Sequence, residues 1–280
     1  MPPALKSQAL SFAALMVHFD GKLRSYHRLR LAIDLANRFD AALIGIAGRS
    51  YLPSFLSNDN ACRQNQDERQ EMAHALAETG EKFRTAAGHV AKVEWRGLPD
   101  DVTHLITSEA RAADLIIIGP DQNSDNPYYG LDTSAAVVRM GRPVLLVPEG
   151  TESLEAKRIL IAWKDTREAR RAVRDAIPFL QRAERVMIVV VCEYASQAQS
   201  QQYINDLAEY LSRHEVMISE KVYLDSKEPV PNQLLQFAEN EKADLIVAGA
   251  YGHSRLGEWM LGGVTRRLIV NSSICSLLSH

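Results

Sequence analysis

The chain has 280 residues, of which 46% are hydrophobic and 24% are charged, and its formal net charge is -3 at pH 7. This length predicts two domains of ordinary size, and the composition is typical of globular proteins. The small negative charge gives no general attraction for nucleic acid or for an anionic membrane, so we expect neither as a partner.

The cysteines and the first apolar run both bear on the compartment. Cys62, Cys192 and Cys275 are far apart and fit no short metal-binding or redox spacing, which indicates a reducing environment. Residues 10–19 are apolar but have the length of a strand and no small-residue cleavage site after them, so they predict a first strand rather than a signal peptide. No apolar run reaches the roughly 18 residues of a membrane span. We therefore expect a cytoplasmic protein.

Apolar runs alternate with helical patterns along the whole chain. In the first half they predict strands at 12–19, 42–48, 90–96, 114–119 and 143–147, and helices at 24–38, 66–87, 101–111 and 133–139. In the second half they predict strands at 158–163, 185–192, 216–224, 244–249 and 274–278, and helices at 167–180, 199–213, 232–241 and 263–271. Strands that alternate with helices require right-handed crossovers and a parallel sheet covered on both faces. The predicted fold class is α/β, with two doubly wound five-stranded parallel-sheet domains in tandem.

The two halves repeat the same unit. Residues 113–119 read ADLIIIG, and residues 243–249 read ADLIVAG. A short polar stretch at 148–157 separates the last strand of one half from the first strand of the next, which predicts domains at 1–149 and 157–280. So short a connection should hold the two domains as a compact pair.

The most informative segment is 244–268, which reads DLIVAGAYGHSRLGEWMLGGVTRRL. Its apolar strand ends at Gly249, Gly252 follows, and Gly262 and Gly263 open a segment with helical spacing. Glycines at a strand exit and a helix entrance let backbone N–H groups approach a ligand, and the helix N-terminus adds partial positive charge. This arrangement suits a phosphate group. On spacing alone, a set of tight turns is the alternative.

The pattern Gly249-x2-Gly252-x9-Gly262 with Val264 and Thr265 behind it resembles the nucleotide loop of the universal stress protein family. The family loop usually ends in Gly followed by Ser or Thr. Thr265 matches the second hydroxyl residue, whereas the residue after Gly262 is a second glycine where the family places the first hydroxyl. The resemblance covers nearly the whole chain. It implies a tandem two-domain member with the fold of adenine nucleotide alpha hydrolases.

This resemblance implies that the second domain binds ATP or another adenine nucleotide, alone or with Mg²⁺, in a regulatory role in the stress response. We expect the phosphates at the N–H groups of the glycine loop and at the Thr265 hydroxyl, and the adenine near the strand ends at Ala162 and Val191. The predicted binding site comprises Ala162, Lys164, Asp165, Val191, Gly249, Gly252, His253, Gly262, Gly263, Val264 and Thr265.

The end of the first strand differs between the halves. In the family, an acidic residue there commonly lies against the base or ribose, and the first half has Asp20 in that place. The second half has Lys164 and Asp165 instead. Lys164 could contact a phosphate, and Asp165 could replace the missing carboxylate. Alternatively, Lys164 is a solvated lysine, and Asp165 or Thr166 caps the next helix.

The first half lacks the glycine loop. After Gly119 the chain reads PDQNSDNPYYGLDT, in which Pro120 offers no backbone donor and the aspartates would repel a triphosphate. Asp132 or Thr133 is predicted to cap a short helix there. We therefore expect one nucleotide per chain.

Cationic groups surround the predicted loop, but the sequence shows no catalytic constellation. His253, Arg255, Arg266 and Arg267 would suit a polyphosphate, although one of the last two must face solvent on an amphipathic helix. There is no Gly-x-Ser-x-Gly elbow, no Gly-Lys-Ser/Thr phosphate loop and no His or Cys pair at metal-ligand spacing. We expect at most the slow ATP hydrolysis known in the family.

Two other functions stay open. The glycine at 263 and the lysine at 164 also fit an interaction or dimerisation module of the same fold that has lost nucleotide binding, and a homodimer is compatible with either function. A hydrolytic or adenylating enzyme is less well supported, because no general base lies beside the loop in sequence.

Overall fold

The computed structural model describes residues 10–50, 59–120, 130–192, 197–225, 230–251 and 263–280. The first half contains β1 (Ala14–His18), α1 (Leu23–Phe39), β2 (Ala42–Gly48), α2 (Asp59–Ala86), β3 (Val93–Leu98), α3 (Val102–Glu109), a 3-10 turn (Ala110–Ala112), β4 (Leu115–Ile118), α4 (Thr133–Arg139) and β5 (Val144–Leu146). The second half contains β6 (Arg158–Trp163), α5 (Arg167–Asp175), α6 (Ile177–Leu180), β7 (Arg185–Cys192), α7 (Gln197–Arg213), β8 (Glu220–Asp225), α8 (Val230–Asn240), β9 (Leu245–Gly249), α9 (Gly263–Asn271) and β10 (Cys275–Ser279).

The strands form one ten-stranded sheet in the order β3-β2-β1-β4-β5-β10-β9-β6-β7-β8. Each half supplies five neighbouring strands that pair in parallel, so the predicted α/β class is confirmed. The halves meet at β5 and β10, which pair antiparallel with Leu145 opposite Leu277. The strand orders of the two halves are related by an approximate two-fold axis at this junction. The sequence did not predict that the two units share a single sheet.

The winding reverses direction beside the first strand of each half. β1 lies between β2 and β4, and β6 lies between β7 and β9. At such a reversal, the helices that follow the two neighbouring strands lie on opposite faces of the sheet. They leave a crevice between them at the carboxyl ends of these strands. The carboxyl ends of β6 and β9 therefore define the place where the second half can accept a ligand.

Strand residues point alternately to two buried layers, as expected for a sheet covered on both faces. One layer joins the sheet to α1, α2, α5, α6 and α7, and it includes Leu15, Phe83 and Val173. The other joins the sheet to α3, α4, α8 and α9, and it includes Met16 and Leu268. Among the described residues, no helix combines the length and the apolar character needed to cross a membrane.

Several element boundaries differ from the sequence prediction. Helix α2 begins at Asp59 rather than at 66, because residues 59–65 are polar but contain no Gly or Pro to end a helix. The helix predicted at 167–180 is divided between α5 and α6, since Pro178 has no N–H for the helical ladder. Strands β3 and β8 begin later than predicted, because Val90 and Val216 are buried in the turns that precede them.

Candidate functional site

The end of β6 brings part of the predicted site to the carboxyl edge of the sheet. Ala162 is half-buried and lies opposite Ala248 of β9 and Val189 of β7, two residues before Val191. Lys164 and Asp165 follow the strand and are exposed. The carboxylate Oδ1 of Asp165 lies 3.2 Å from Nε of Arg170.

The first turn of α5 is capped by Thr166. Its Oγ1 accepts a hydrogen bond of 3.3 Å from the backbone N–H of Ala169. The interpretation in which Asp165 or Thr166 caps this helix is therefore confirmed for Thr166. The exposed carboxylate of Asp165 accepts a hydrogen bond from Arg170 of α5. A role of Asp165 in ligand binding stays a prediction.

Gly249 permits a close approach between β9 and α5. A Cβ atom at this position would lie 2.5 Å from the backbone N of Ala169 and 2.7 Å from the carbonyl carbon of Glu168. Such distances are far below van der Waals contact, so no other residue fits without a shift of the helix. Packing against α5 thus explains why residue 249 is a glycine, whether or not a ligand binds nearby.

The chain turns sharply as it leaves β9. Tyr251 adopts the left-handed conformation with φ of 53°, and its N–H donates to Oγ1 of Thr265 at 3.5 Å. The N–H of Ala250 donates to the carbonyl oxygen of Ser279 at 2.8 Å, and the carbonyl oxygen of Ala250 lies 2.9 Å from Nδ1 of His280. The buried Thr265 therefore ties the strand exit to the helix entrance.

Helix α9 begins at Gly263, as predicted. Gly263 is exposed, Val264 is half-buried, and Arg266 and Arg267 are both exposed. Gly252, His253, Arg255 and Gly262 lie outside the described residues. The structure thus brings the two ends of the predicted loop to the same edge as the ends of β6 and β7, while the binding role of these residues stays a prediction.

The corresponding edge of the first half is occupied by Arg28, which the sequence analysis missed. Its Nε and Nη2 atoms donate to the carbonyl oxygen of His18 at 3.0 and 2.7 Å, and the side chain is buried. A Cβ atom on Gly119 would lie 2.5 Å from Nη1 of Arg28. Arg28 therefore fills the space between the ends of β1 and β4. Leu15 of β1 and Ile159 of β6 hold equivalent positions in the two halves. With the same offset along the chain, the residue of the second half that corresponds to Arg28 is Ala172 of α5.

Burial controls the charges around Arg28. Burial and the charge of Arg28 lower the pKa of His18 to about 3, so its imidazole is neutral at neutral pH. Burial also lowers the pKa of Arg28 to about 10, which leaves the guanidinium charged. For Asp20, burial would raise the pKa, but His18 and the hydrogen bond from the N–H of Lys22 lower it overall. The carboxylate of Asp20 is thus engaged by its own turn.

The loop region of the first half ends in a capped helix, as predicted. Oδ1 of Asp132 accepts a hydrogen bond of 2.7 Å from the N–H of Ala135, at the start of α4. The hydroxyl of the buried Thr133 donates to the carbonyl oxygen of Gly119 at 3.0 Å. Within the described parts of both halves, no group of three or more His, Cys, Asp or Glu side chains is placed to hold a metal ion.

Comparison with known proteins shows that the second half of the chain is similar to one family. Residues 155–278 match the model of the universal stress protein family. A segment of 53 residues is 43% identical to the universal stress protein MJ0531 of Methanocaldococcus jannaschii, and it covers 19% of this chain and 31% of that protein. The chain thus matches about a third of the length of that curated relative.

Two solved structures resemble the whole chain. A universal stress protein from Archaeoglobus fulgidus has a TM-score of 0.70 at 16% identity, with 95% of both chains covered. A functionally unknown protein from Pseudomonas aeruginosa has a TM-score of 0.59 at 14% identity, with 96% of this chain and 92% of that chain covered. At these identities the likeness shows the fold, which is an α/β fold with a mostly parallel sheet. The likeness to the family itself comes from the second half, which the universal stress protein model matches over residues 155–278.

Proposed function

We propose that this chain binds one molecule of ATP or a related adenine nucleotide at the carboxyl edge of β6 and β9 and acts as a nucleotide-responsive regulatory factor. The observation that carries the proposal is the meeting of the β9 exit with the α9 entrance, joined by the bond from Tyr251 to Thr265. This junction lies beside the point where the winding of the second half reverses.

The entrance of α9 has the physical properties that a phosphate group requires. The first N–H groups of a helix have no partner within the helix, and the helix dipole adds partial positive charge there. Gly263 is exposed at this end, and the next two residues, Val264 and Thr265, continue the helix. In the proposal, the phosphates lie on these N–H groups, with Lys164, Asp165 and the residues of the glycine loop around them.

The described part of the first half has only a small cavity at the corresponding edge, which supports a stoichiometry of one. The cavity between Arg28, Gly119 and Pro148 measures about 50 Å³. Ligand sites for nucleotide-sized molecules usually measure roughly 300–1,000 Å³. Because Arg28 is buried and bonded to the backbone of β1, a nucleotide could enter there only by displacing it.

Isothermal titration calorimetry with ATP tests the proposal, and two variants make it specific. Gly263→Ser supplies the hydroxyl that the family has at this position, and among the described residues a Cβ atom there meets Cγ of Pro231, at 3.4 Å. We expect this variant to bind ATP about tenfold more tightly, which corresponds to one additional hydrogen bond to a charged oxygen. Thr265→Val should weaken binding by a similar factor, whereas Thr265→Ser should retain it.

Unfolding midpoints measured on the same samples separate binding effects from folding effects, since Thr265 also accepts a bond from Tyr251. One ATP per chain, with the expected order of the variants, supports the proposal. No heat with either wild-type protein or Gly263→Ser would overturn it in favour of an interaction module without nucleotide.

A further inference from the structure

A cavity of about 430 Å³ lies between α5 and α7 in the second half. Its floor consists of three buried side chains, from Trp163 at the end of β6, Val173 of α5 and Leu207 of α7. The half-buried Tyr203 and Tyr210 line it from α7. The volume lies within the range of roughly 300–1,000 Å³ that is typical of small-molecule sites.

This cavity lies on the other face of the sheet from the α9 end of the proposed nucleotide site, and Asp165 borders both sites. The side chains of Trp163, Val173 and Leu207 belong to the buried layer under α5 and α7. Helix α9, whose N-terminus forms part of the nucleotide site, packs into the layer on the other face of the sheet through Leu268 and Ile269. A ligand between α5 and α7 would therefore occupy a second site, whose existence does not depend on nucleotide binding.

The floor contains a polar atom whose bonding is incomplete. The indole Nε1 of Trp163 is buried and has no hydrogen-bond partner among the residues that the structure describes, although Trp163 lines the cavity. Buried N–H donors are nearly always paired in folded proteins, because the donor loses its bond to water. An acceptor oxygen that a ligand brings to the floor would supply the missing partner.

The mouth of the cavity presents one open cation and one open anion. Asp165 and Arg170 face each other at 3.2 Å and largely neutralise one another. Arg174 and Asp206 also line the cavity and are exposed, and neither forms an ion pair with any residue that the structure describes. A ligand with both a negative and a positive group can therefore pair with both.

We propose that this cavity binds a small aromatic zwitterion with the chemistry of a free aromatic amino acid. The ring would lie on the apolar floor beside Tyr203 and Tyr210, where aromatic pairs are favourable. The carboxylate would meet Arg174, and the ammonium group would meet Asp206. This binding activity goes beyond the proposed nucleotide function and gives the second half a second ligand.

Calorimetry with L-phenylalanine tests this inference, with 3-phenylpropionate and phenethylamine as analogues that lack the ammonium group and the carboxylate, respectively. We expect L-phenylalanine to bind at least tenfold more tightly than either analogue. Arg174→Gln should remove its advantage over phenethylamine, and Asp206→Asn should remove its advantage over 3-phenylpropionate. Because both residues are exposed, these variants should fold normally.

Two further variants locate the ligand. Leu207→Trp fills the floor of the cavity and should abolish binding, whereas Arg213→Gln changes an exposed residue of α7 that pairs with Glu209 outside the cavity and should leave binding unchanged. The inference is wrong if L-phenylalanine shows no saturation up to about 10 mM, far weaker than ordinary ligand affinities. It is also wrong if the analogues bind equally well. An ATP titration of the same sample distinguishes this failure from that of the nucleotide proposal.

Discussion

The two halves of the chain share a strand order but differ in how they fill the space beneath the end of their first strand. In the first half, Phe19 packs against Tyr26 and Phe83 with ring centroids 4.9 and 5.7 Å apart, and Trp95 lies 5.4 Å from Phe83. In the second half, the equivalent residue is Trp163, and beside it lies a cavity of about 430 Å³. Side-chain volume, rather than topology, thus decides whether this space is closed or open to a ligand.

The carboxyl edges of the two halves also differ. Arg28 closes the edge of the first half, whereas α5 of the second half has the small residue Ala172 at the equivalent position. There, Gly249 lets the helix backbone itself approach the strand. The side chain of Arg28 therefore fills the space between the strand ends in the first half, whereas in the second half the backbone of α5 packs against the end of β9. A repeated unit can retain its sheet while the packing of its two interiors diverges.

The largest expected difference is in the stability lost when Phe83 of α2 or Tyr210 of α7 is replaced by alanine. Phe83 is fully buried among rings, and a Cβ atom on Gly45 would already lie 2.6 Å from it. Phe83→Ala should therefore lower the free energy of unfolding by about 4 kcal/mol, as is typical for a phenylalanine removed from a tight core. Tyr210→Ala should cost about 1 kcal/mol, because Tyr210 is half-buried and faces space that is already open.

Urea unfolding followed by circular dichroism measures both losses, and Phe83→Leu serves as a control with an expected loss of about 1 kcal/mol. Equal losses for the two alanine variants would show that the second half is as tightly packed as the first. The comparison between filled and open space would then be invalid.

A smaller difference is expected for the paired glycines at the strand exits. Gly249→Ala places a methyl group against the backbone of α5, which can yield only if the helix moves, so we expect a loss of about 3 kcal/mol. Gly119→Ala meets the end of the Arg28 side chain, which is easier to displace, so a loss of about 1 kcal/mol is expected.

The double variant Gly119→Ala with Arg28→Ala separates the two causes. If the methyl group on residue 119 collides only with Arg28, thermal and urea unfolding should show that Gly119→Ala costs almost nothing in the Arg28→Ala background. A cost that persists in that background would mean that the backbone at Gly119 is itself constrained, as it is at Gly249.

Local pattern was sufficient to predict most of the fold. Buried strands such as β4 and β9 are continuous apolar runs, and helices such as α9 begin where their glycines indicate, so sequence reading placed them correctly. The pairing of β5 with β10 has no local signature, because it joins the edges of two units far apart in sequence. The starts of β3 and β8 were predicted too early, because Val90 and Val216 are apolar like strand residues but lie in buried turns.

Less of the candidate site could be predicted. The bond from Tyr251 to Thr265 was not expected, although Thr265 itself was selected from its position in the loop. The burial of Arg28 could have been predicted, since it shares a helix face with Ala32 and Leu35. A charged residue on such an apolar face requires a buried partner. That partner is the backbone of His18, which no sequence pattern could name. The cavity depends on the combined volumes of side chains from three separate elements.

The smallest expected effect concerns the loss of stability in acid that arises from one histidine of the first half. His18 is buried and neutral with a pKa of about 3, whereas the equivalent residue of the second half, Ala162, cannot titrate. The unfolded chain binds a proton at this histidine near pH 6.5, so between pH 6.5 and about 3 the unfolded state holds more protons than the folded state. Stability should therefore fall as the pH decreases through this window.

The variant His18→Met isolates this contribution, because methionine is apolar and does not titrate. Between pH 7 and 5.5, the wild-type protein should lose about 1 kcal/mol more than the variant in urea unfolding, which is below the limit of about 1.4 kcal/mol per pH unit because the unfolded histidine is only partly protonated at the upper end of this interval. His89→Gln, at an exposed histidine, should follow the wild-type profile. Parallel profiles for wild type and His18→Met would mean that His18 accepts a proton in the folded state. The charge of Arg28 would then have to lie farther from the imidazole than the 3.5 Å between Nη2 and Nδ1, so Arg28 would not fill the edge of the first half as described above.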